Sequence, residues 1–276
     1  MNSPIRSLSL VLAFLVCSHA GAADWSDTSI SWRHGSEFAE PFNNKDISKN
    51  IFALTHVSGY KYGVNFFNVD MLLSDMNDPA AGLKSGAQEA YVVYRNTLDL
   101  GKVSGSELEF GPVKGVGATL GFDWNTKNDV GYSSRKRMIV AGPTLMWDVP
   151  GHLNSSLLLL RESNAPTGIA RYTYKTHAML TFDWGIPLGS LPLSFEGFAN
   201  FIESKGKDEF GGNTAAETNI DMQIMWDAGA GLGMAKNTFK LGLEYQYWKN
   251  KFGNPVSVAG PGAFAKTPMV RAEYHF

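Results

Sequence analysis

Thr218-Asn219-Ile220-Asp221-Met222-Gln223-Ile224-Met225-Trp226-Asp227 is the stretch on which the fold turns. Ile220, Met222, Ile224 and Trp226 fall on every second position, and Asn219, Asp221, Gln223 and Asp227 fill the places between. On a helix the charges would scatter around the whole circumference. On a strand they separate cleanly into one apolar and one polar face. The pattern recurs on both sides of this stretch. Tyr172, Tyr174, Ala178, Leu180, Phe182 and Trp184 oppose Lys175, His177, Thr181 and Asp183, and Phe239, Leu241, Leu243, Tyr245 and Tyr247 oppose Lys240, Glu244 and Gln246. Val116, Ala118, Leu120, Phe122 and Trp124 oppose Gly117, Thr119, Gly121 and Asp123.

Extended along the chain, the pattern predicts about twelve strands: 27–35, 49–58, 63–73, 87–98, 112–124, 137–148, 154–163, 172–184, 193–203, 217–228, 238–249 and 268–276. The turns at 59–62 and 149–152 are tight, whereas 36–48, 74–86, 125–136, 204–216 and 250–267 read as longer polar or Gly/Pro-bearing links. An even strand number with short turns at one end and long loops at the other fits a closed antiparallel transmembrane β-barrel. Short periplasmic turns and longer extracellular loops are expected. Three local readings stay open. Leu157–Leu160 is apolar on both faces, segment 49–58 carries Ile51 and Val57 on one face but Phe52 and Leu54 on the other, and the shift between Val64, Phe66 and Phe67, Val69 suggests a bulge.

Alternation alone does not say which face meets water; other features point outward for the apolar one. Trp124, Trp147, Trp184, Trp226, Tyr245 and Tyr247 sit near strand ends on the apolar face, as an interfacial girdle would. Arg6, the apolar run Leu8–Val16 and the small residues Ala20–Ala23 form a cleavable export signal over residues 1–23, leaving one barrel domain over 24–276. Cys17 follows a bulky Val16, which suits lipidation poorly. It is the one Cys of the chain, so neither a disulfide framework nor a thiolate metal site is available. The expected location is the bacterial outer membrane, with its lipid and lipopolysaccharide as surroundings. The terminal strand Met269–Phe276, ending in an aromatic, has the form of a signal for the barrel-assembly machinery.

A lumen of this size is narrow and partly filled by its own side chains. The polar faces place Asn68, Asp70, Glu89, Arg95, Asp123, Lys175, His177, Asp183, Asn219, Asp221, Gln223, Asp227, Lys240, Glu244, Gln246, Arg271 and Glu273 inside as candidate solute-path residues. Both signs occur, which argues against a strongly anion-selective pore. A neutral polar solute could exchange hydrogen bonds along such a wall and leave again. Net charge is -2, so nothing recruits a nucleic-acid polymer.

Tyr62-Gly63-Val64-Asn65-Phe66-Phe67-Asn68-Val69-Asp70 resembles a strand of the nucleoside-specific channel-forming (Tsx-type) outer-membrane porins, where it likewise follows a tight turn. Ile30–Gly35 and the strand beginning Gln88-Glu89-Ala90-Tyr91 are similar in character and order. The resemblance implies a monomeric barrel that passes nucleosides and deoxynucleosides, with Asn68 and Asp70 at matching motif positions.

Other signals read as structural. The glycines of Gly115–Gly121 lie in an alternating strand with no helix to follow, and suit curvature or a lumen recess rather than dinucleotide binding. The histidines 34, 56, 152, 177 and 275 lack metal-ligand spacing, and no cofactor is expected. Lys175, His177 and Asp183 read as a paired lumen cluster, and Ser133–Arg137 as a basic loop edge open to lipopolysaccharide. A passive channel for small polar solutes is the expected function. The competing classes are a barrel enzyme (a lipid or peptide hydrolase), for which no Ser/His or Asp/His spacing is found, and a non-conducting structural or adhesion barrel in which every lumen charge pairs.

Overall fold

A computed structural model describes residues 23–276; the export signal expected over 1–23 lies, but for residue 23, outside the described residues. The strands are β1 (Trp25–Glu40), β2 (Asn43–Tyr60), β3 (Gly63–Ser74), β4 (Gln88–Asp99), β5 (Val113–Lys127), β6 (Arg137–Trp147), β7 (His152–Asn164), β8 (Tyr172–Thr173), β9 (His177–Pro187), β10 (Leu193–Ile202), β11 (Glu217–Asp227), β12 (Phe239–Lys249) and β13 (Phe264–His275). All pairings are antiparallel, β1 joins β13, and the β6–β7 pairing completes the ring. Twelve strands make a closed barrel, and the two-residue β8 is an extra flap on the end of β7. Closure leaves no unpaired edge, the condition for strands to cross a bilayer.

The apolar face points outward. Leu120, Ile139, Leu157, Leu159, Ile224 and Leu243 are each at least half exposed, while Asp221, Glu244 and Thr267 on the opposite face are buried. Direct cross-strand partners share a face, so each register fixes the side of its neighbour. Gln223 lies opposite Glu196 and Glu244, and Ile224 opposite Phe195 and Leu243. Girdle aromatics sit outward toward both rims, Trp124 and Tyr247 near the upper ends of β5 and β12, Trp184 and Trp226 near the lower ends of β9 and β11. The lower rim, which holds both termini of the barrel, has short links at 61–62, 148–151 and 188–192, plus longer ones at 100–112, with a short helix at Leu100–Ser104, and at 228–238. Links 75–87, 128–136, 165–176, 203–216 and 250–263 crown the upper rim.

The structure changes several local readings. Residues 36–48 are not a loop: β1 and β2 continue to a two-residue turn at 41–42, as a long hairpin rising above the rim. Register shifts between Gly35 and Phe38 and between Phe38 and Glu40 interrupt the alternation there, while Phe38 and Ile47 pack with Ile51 and Met269. The segment 172–184 is broken at 174–176, because Tyr174 N–H bonds Glu162 O and Lys175 N–H bonds Lys205 O instead of continuing one ladder. No bulge interrupts β3, whose register with β2 and β4 runs unbroken; Phe66 faces inward and Phe67 outward. In β7, Leu158 and Leu160 face inward, so Glu162 enters the lumen and Arg161 stays outside. In β2, Ile51 and Val57 face inward, Phe52 and Leu54 outward.

Candidate functional site

The candidate site is the barrel interior, and its two walls differ. On one wall β1, β3, β12 and β13 carry an alternating chain of acids and bases. Arg33 Nη2 meets Asp70 at 2.6 Å, Arg33 Nη1 meets Glu244 at 3.1 Å, Arg271 Nη1 meets Glu244 at 3.0 Å, and Arg271 Nη2 meets Glu273 at 2.5 Å. The chain continues through His275, 2.7 Å from Glu273 and 2.8 Å from Asp27, toward the lower mouth. Arg33 reaches past Ala53 on β2 to touch Asp70, and past β13 to touch Glu244, so its guanidinium ties strands that are not neighbours. Beside it, Lys240 Nζ (3.3 Å) and Gln223 Nε2 (3.1 Å) donate to Glu196, and Gln246 Nε2 donates to Asp221 at 3.2 Å.

Half a turn around the ring, the wall of β6, β7 and β9 presents Val140, Leu158, Leu160 and Met179, all buried inside the barrel. Below this apolar strip runs an uncharged hydroxyl track across β4, β5, β6 and β7. Thr97 to Thr119 is 2.8 Å, Thr119 to Thr144 is 2.6 Å, and Thr144 to Ser156 is 2.8 Å. Arg95 pairs with Asp123, which also accepts from Tyr91 at 2.9 Å. Gly121 makes this possible: a Cβ there would lie 2.6 Å from Arg95 Cδ and 2.2 Å from Tyr94 O, so this glycine is a lumen recess. Among the described residues, Ser31 Oγ, Arg33 Nε, His177 Nε2 and Asn219 Oδ1 are buried inside the lumen without a hydrogen-bond partner.

The upper links fold inward and are pinned to the wall. Asp78 of link 75–87 sits 2.9 Å from Lys127, Lys251 of link 250–263 sits 3.2 Å from Glu40, and Lys205 of link 203–216 grips both oxygens of Glu162 at 2.9 Å. Glu209 accepts from Tyr132 and, at 2.6 Å, from Tyr174, joining three links. Burial and the Glu209 carboxylate push both phenols well above their ordinary range. At the lower end an open vestibule of about 600 Å3 is lined by Asp27, Ser194, Met225, Asp227, Lys240 and His275, among others.

Of the residues read from the sequence, Asn68, Asp70, Glu89, Arg95, Asp123, Asp221, Gln223, Lys240, Glu244 and Arg271 all face the lumen. Asn68 accepts from Thr55 (2.8 Å) and donates to Asp70 (3.0 Å); Glu89 accepts from Asn125. The Lys175–His177–Asp183 cluster does not assemble. Lys175 is exposed in the break before β9, His177 is buried at the top of β9 with Nδ1 2.9 Å from the Lys175 carbonyl, and Asp183 lies near the lower rim with Asn154 (2.8 Å) and His152 (3.8 Å). Residues missed were of three kinds. Arg33, Lys49 and Glu196 stand in strands read from the sequence and were readable by their face, Glu40 ends β1 in the stretch read as a loop, and Asp78, Lys205 and Lys251 are brought in by links whose path no local pattern encodes. Among the described residues no group of three or more His, Cys, Asp or Glu could hold a metal ion.

No family profile and no curated protein matches the chain. Solved structures similar to it include the translocator domain of the autotransporter NalP from Neisseria meningitidis, with a TM-score of 0.43 and 13% identity over 99% of this chain and 95% of that one. The transport unit of the autotransporter AIDA-I from Escherichia coli gives a TM-score of 0.35 and 11% identity, covering 98% and 97%. OpdK from Pseudomonas aeruginosa, solved with vanillate, gives a TM-score of 0.27 and 10% identity, covering 93% and 100%. The barrel rests on its own strand pairings, to which likenesses this distant add nothing.

Proposed function

We propose that the barrel sits in a bacterial outer membrane, long links outward, and is a narrow passive channel for small polar solutes, nucleosides foremost. The observation that carries this reading is the pair of opposed walls. Guanidinium–carboxylate pairs line one side, and the other carries a hydroxyl track beneath the packed apolar strip of Val140, Leu158, Leu160 and Met179. A nucleoside has the same division: a sugar that exchanges hydrogen bonds and a base whose flat face prefers apolar contact. Paired charges hold little net field, which suits an uncharged solute, and the weak contacts of such walls permit release. The inward links narrow the upper mouth, so bulk flow of mixed solutes is not part of the proposal.

The test is single-channel recording in planar bilayers. Small conductance steps reduced by millimolar adenosine or thymidine, and unchanged by sucrose at equal concentration, are expected. A silent bilayer would favour the non-conducting barrel, for which the close pairing of lumen charges speaks, and steps indifferent to nucleosides would remove the solute assignment.

A further inference from the structure

On the outer surface, where β6 and β7 meet the upper rim, basic side chains gather without acids. Arg137 opens β6 and faces outward, directly across from the girdle residue Trp124 of β5. Arg161 faces outward from β7, one diagonal step away, since Ser163 opposes Arg137 and Ile139 opposes Arg161. Arg171, from link 165–176, folds back over the same edge: its Nη1 donates to Ser163 Oγ and to the Arg135 carbonyl, both at 3.1 Å. Arg135, Arg137, Arg161 and Arg171 are all exposed, and among the described residues none has a carboxylate within ion-pair distance. The crowding is physical: partial burial first, then the charges of Arg137 and Arg135, lower the Arg171 pKa from its ordinary value.

Below this patch the surface becomes wholly apolar. Ile139 is 60% exposed, Leu159 62% and Leu157 55%. A guanidinium group at that boundary extends toward the headgroup layer while its stem lies on the apolar wall. The arginines open sideways to the bilayer, on the face opposite the lumen-lining one, so they serve a ligand approaching through the membrane plane. Such a ligand carries anionic groups at headgroup height and acyl chains beneath.

We propose that Arg135, Arg137, Arg161 and Arg171 form a binding site for the phosphate groups of a phosphorylated outer-leaflet glycolipid, with its acyl chains along Ile139, Leu157 and Leu159. Guanidinium forks bind phosphate oxygens in pairs and are more easily desolvated than lysine, which is the chemistry this boundary requires. The inference rests on the outer-membrane placement proposed above, but not on solute passage.

The test uses the full chain in detergent micelles, titrated with bisphosphorylated lipid A or the same lipid stripped of phosphate, and bound lipid counted by native mass spectrometry. At least tenfold tighter binding of the phosphorylated form is expected. The triple substitution Arg137→Gln, Arg161→Gln, Arg171→Gln should abolish that preference, while Lys266→Gln, an exposed β13 position elsewhere, should keep it. Equal binding of both lipids by the unmodified protein would overturn the site, as would a preference that survives the triple change. Displacement of the lipid by millimolar inorganic phosphate would also overturn it, since it would reveal a soluble-anion site. The comparison of lipids on the unmodified protein stands even if the triple variant does not fold. Conductance of the same preparation is read separately: a conducting barrel without lipid preference defeats this inference alone, and a lipid-selective barrel without conductance defeats the channel alone.

Discussion

Glu244 is the residue on which the charged wall depends, since it accepts from Arg33 and Arg271 at once while being almost fully buried. Removing one partner from a buried ionic group leaves the others desolvated and uncompensated, at a cost of about 3–5 kcal/mol. Glu244→Gln keeps the shape and removes the charge, so unfolding in urea should shift to markedly lower denaturant, with the folded band on unheated gels lost earlier; a shift below ~0.5 kcal/mol would show that the pairs are solvated and weak. Gly121 makes a steric counterpart. Gly121→Val forces a side chain against Arg95 and the Tyr94 carbonyl, an overpacking expected to cost ~1–3 kcal/mol. Unfolding midpoints equal to those of the unmodified protein would mean that the recess is not needed.

At the scale of elements, the links are the part with their own chemistry. Lys136 ends link 128–136, with its ammonium 3.4 Å from the centre of the Phe252 ring on link 250–263. Burial, and then the nearby Lys205, lower its pKa to about 8, against an ordinary value of 10.5. The folded form therefore binds this proton less readily than the unfolded chain does. Its penalty is fully present below pH 8, and stability should rise between about pH 8 and 10.5 as the folded-state ammonium loses its proton first. Lys136→Met should flatten that rise in thermal unfolding followed by circular dichroism; an unchanged slope would place the proton elsewhere.

The same scale shows what could be read from residue order. Strands β5, β11 and β12 were legible because each keeps one face apolar over all but its end residues, so that faces, neighbours and lumen residues follow from period two. The top of β1 was not, because two register shifts break the alternation where the Pro-bearing stretch 36–48 also reads as a loop. Tyr172–Trp184 looked continuous because its alternation survives the break at 174–176, whose cause is a pair of backbone bonds to distant Glu162 and Lys205. The lumen charges on strands were visible for the same reason the strands were. Lys205, Lys251 and Asp78 were not, since only the inward path of the links brings them to Glu162, Glu40 and Lys127.

For the whole molecule everything follows from the direction of the two faces: apolar side chains outward, polar ones toward a shared interior, which the proposed membrane placement turns to lipid and to water. The only Cys of the chain, Cys17, precedes the barrel, so single cysteines can carry a spin label at any chosen strand position. Labels at Leu159 and Ile224 test the outer face, and labels at Ser156 and Gln223 the inner one, in protein reconstituted into lipid vesicles. The most direct measurement is power-saturation electron paramagnetic resonance with oxygen, which concentrates in lipid, against a water-soluble nickel chelate. Leu159 and Ile224 labels relaxed by oxygen and shielded from nickel, with the reverse at Ser156 and Gln223, are the expected result. Nickel access at Leu159 and Ile224, or shielding of those labels from both reagents, would contradict the account.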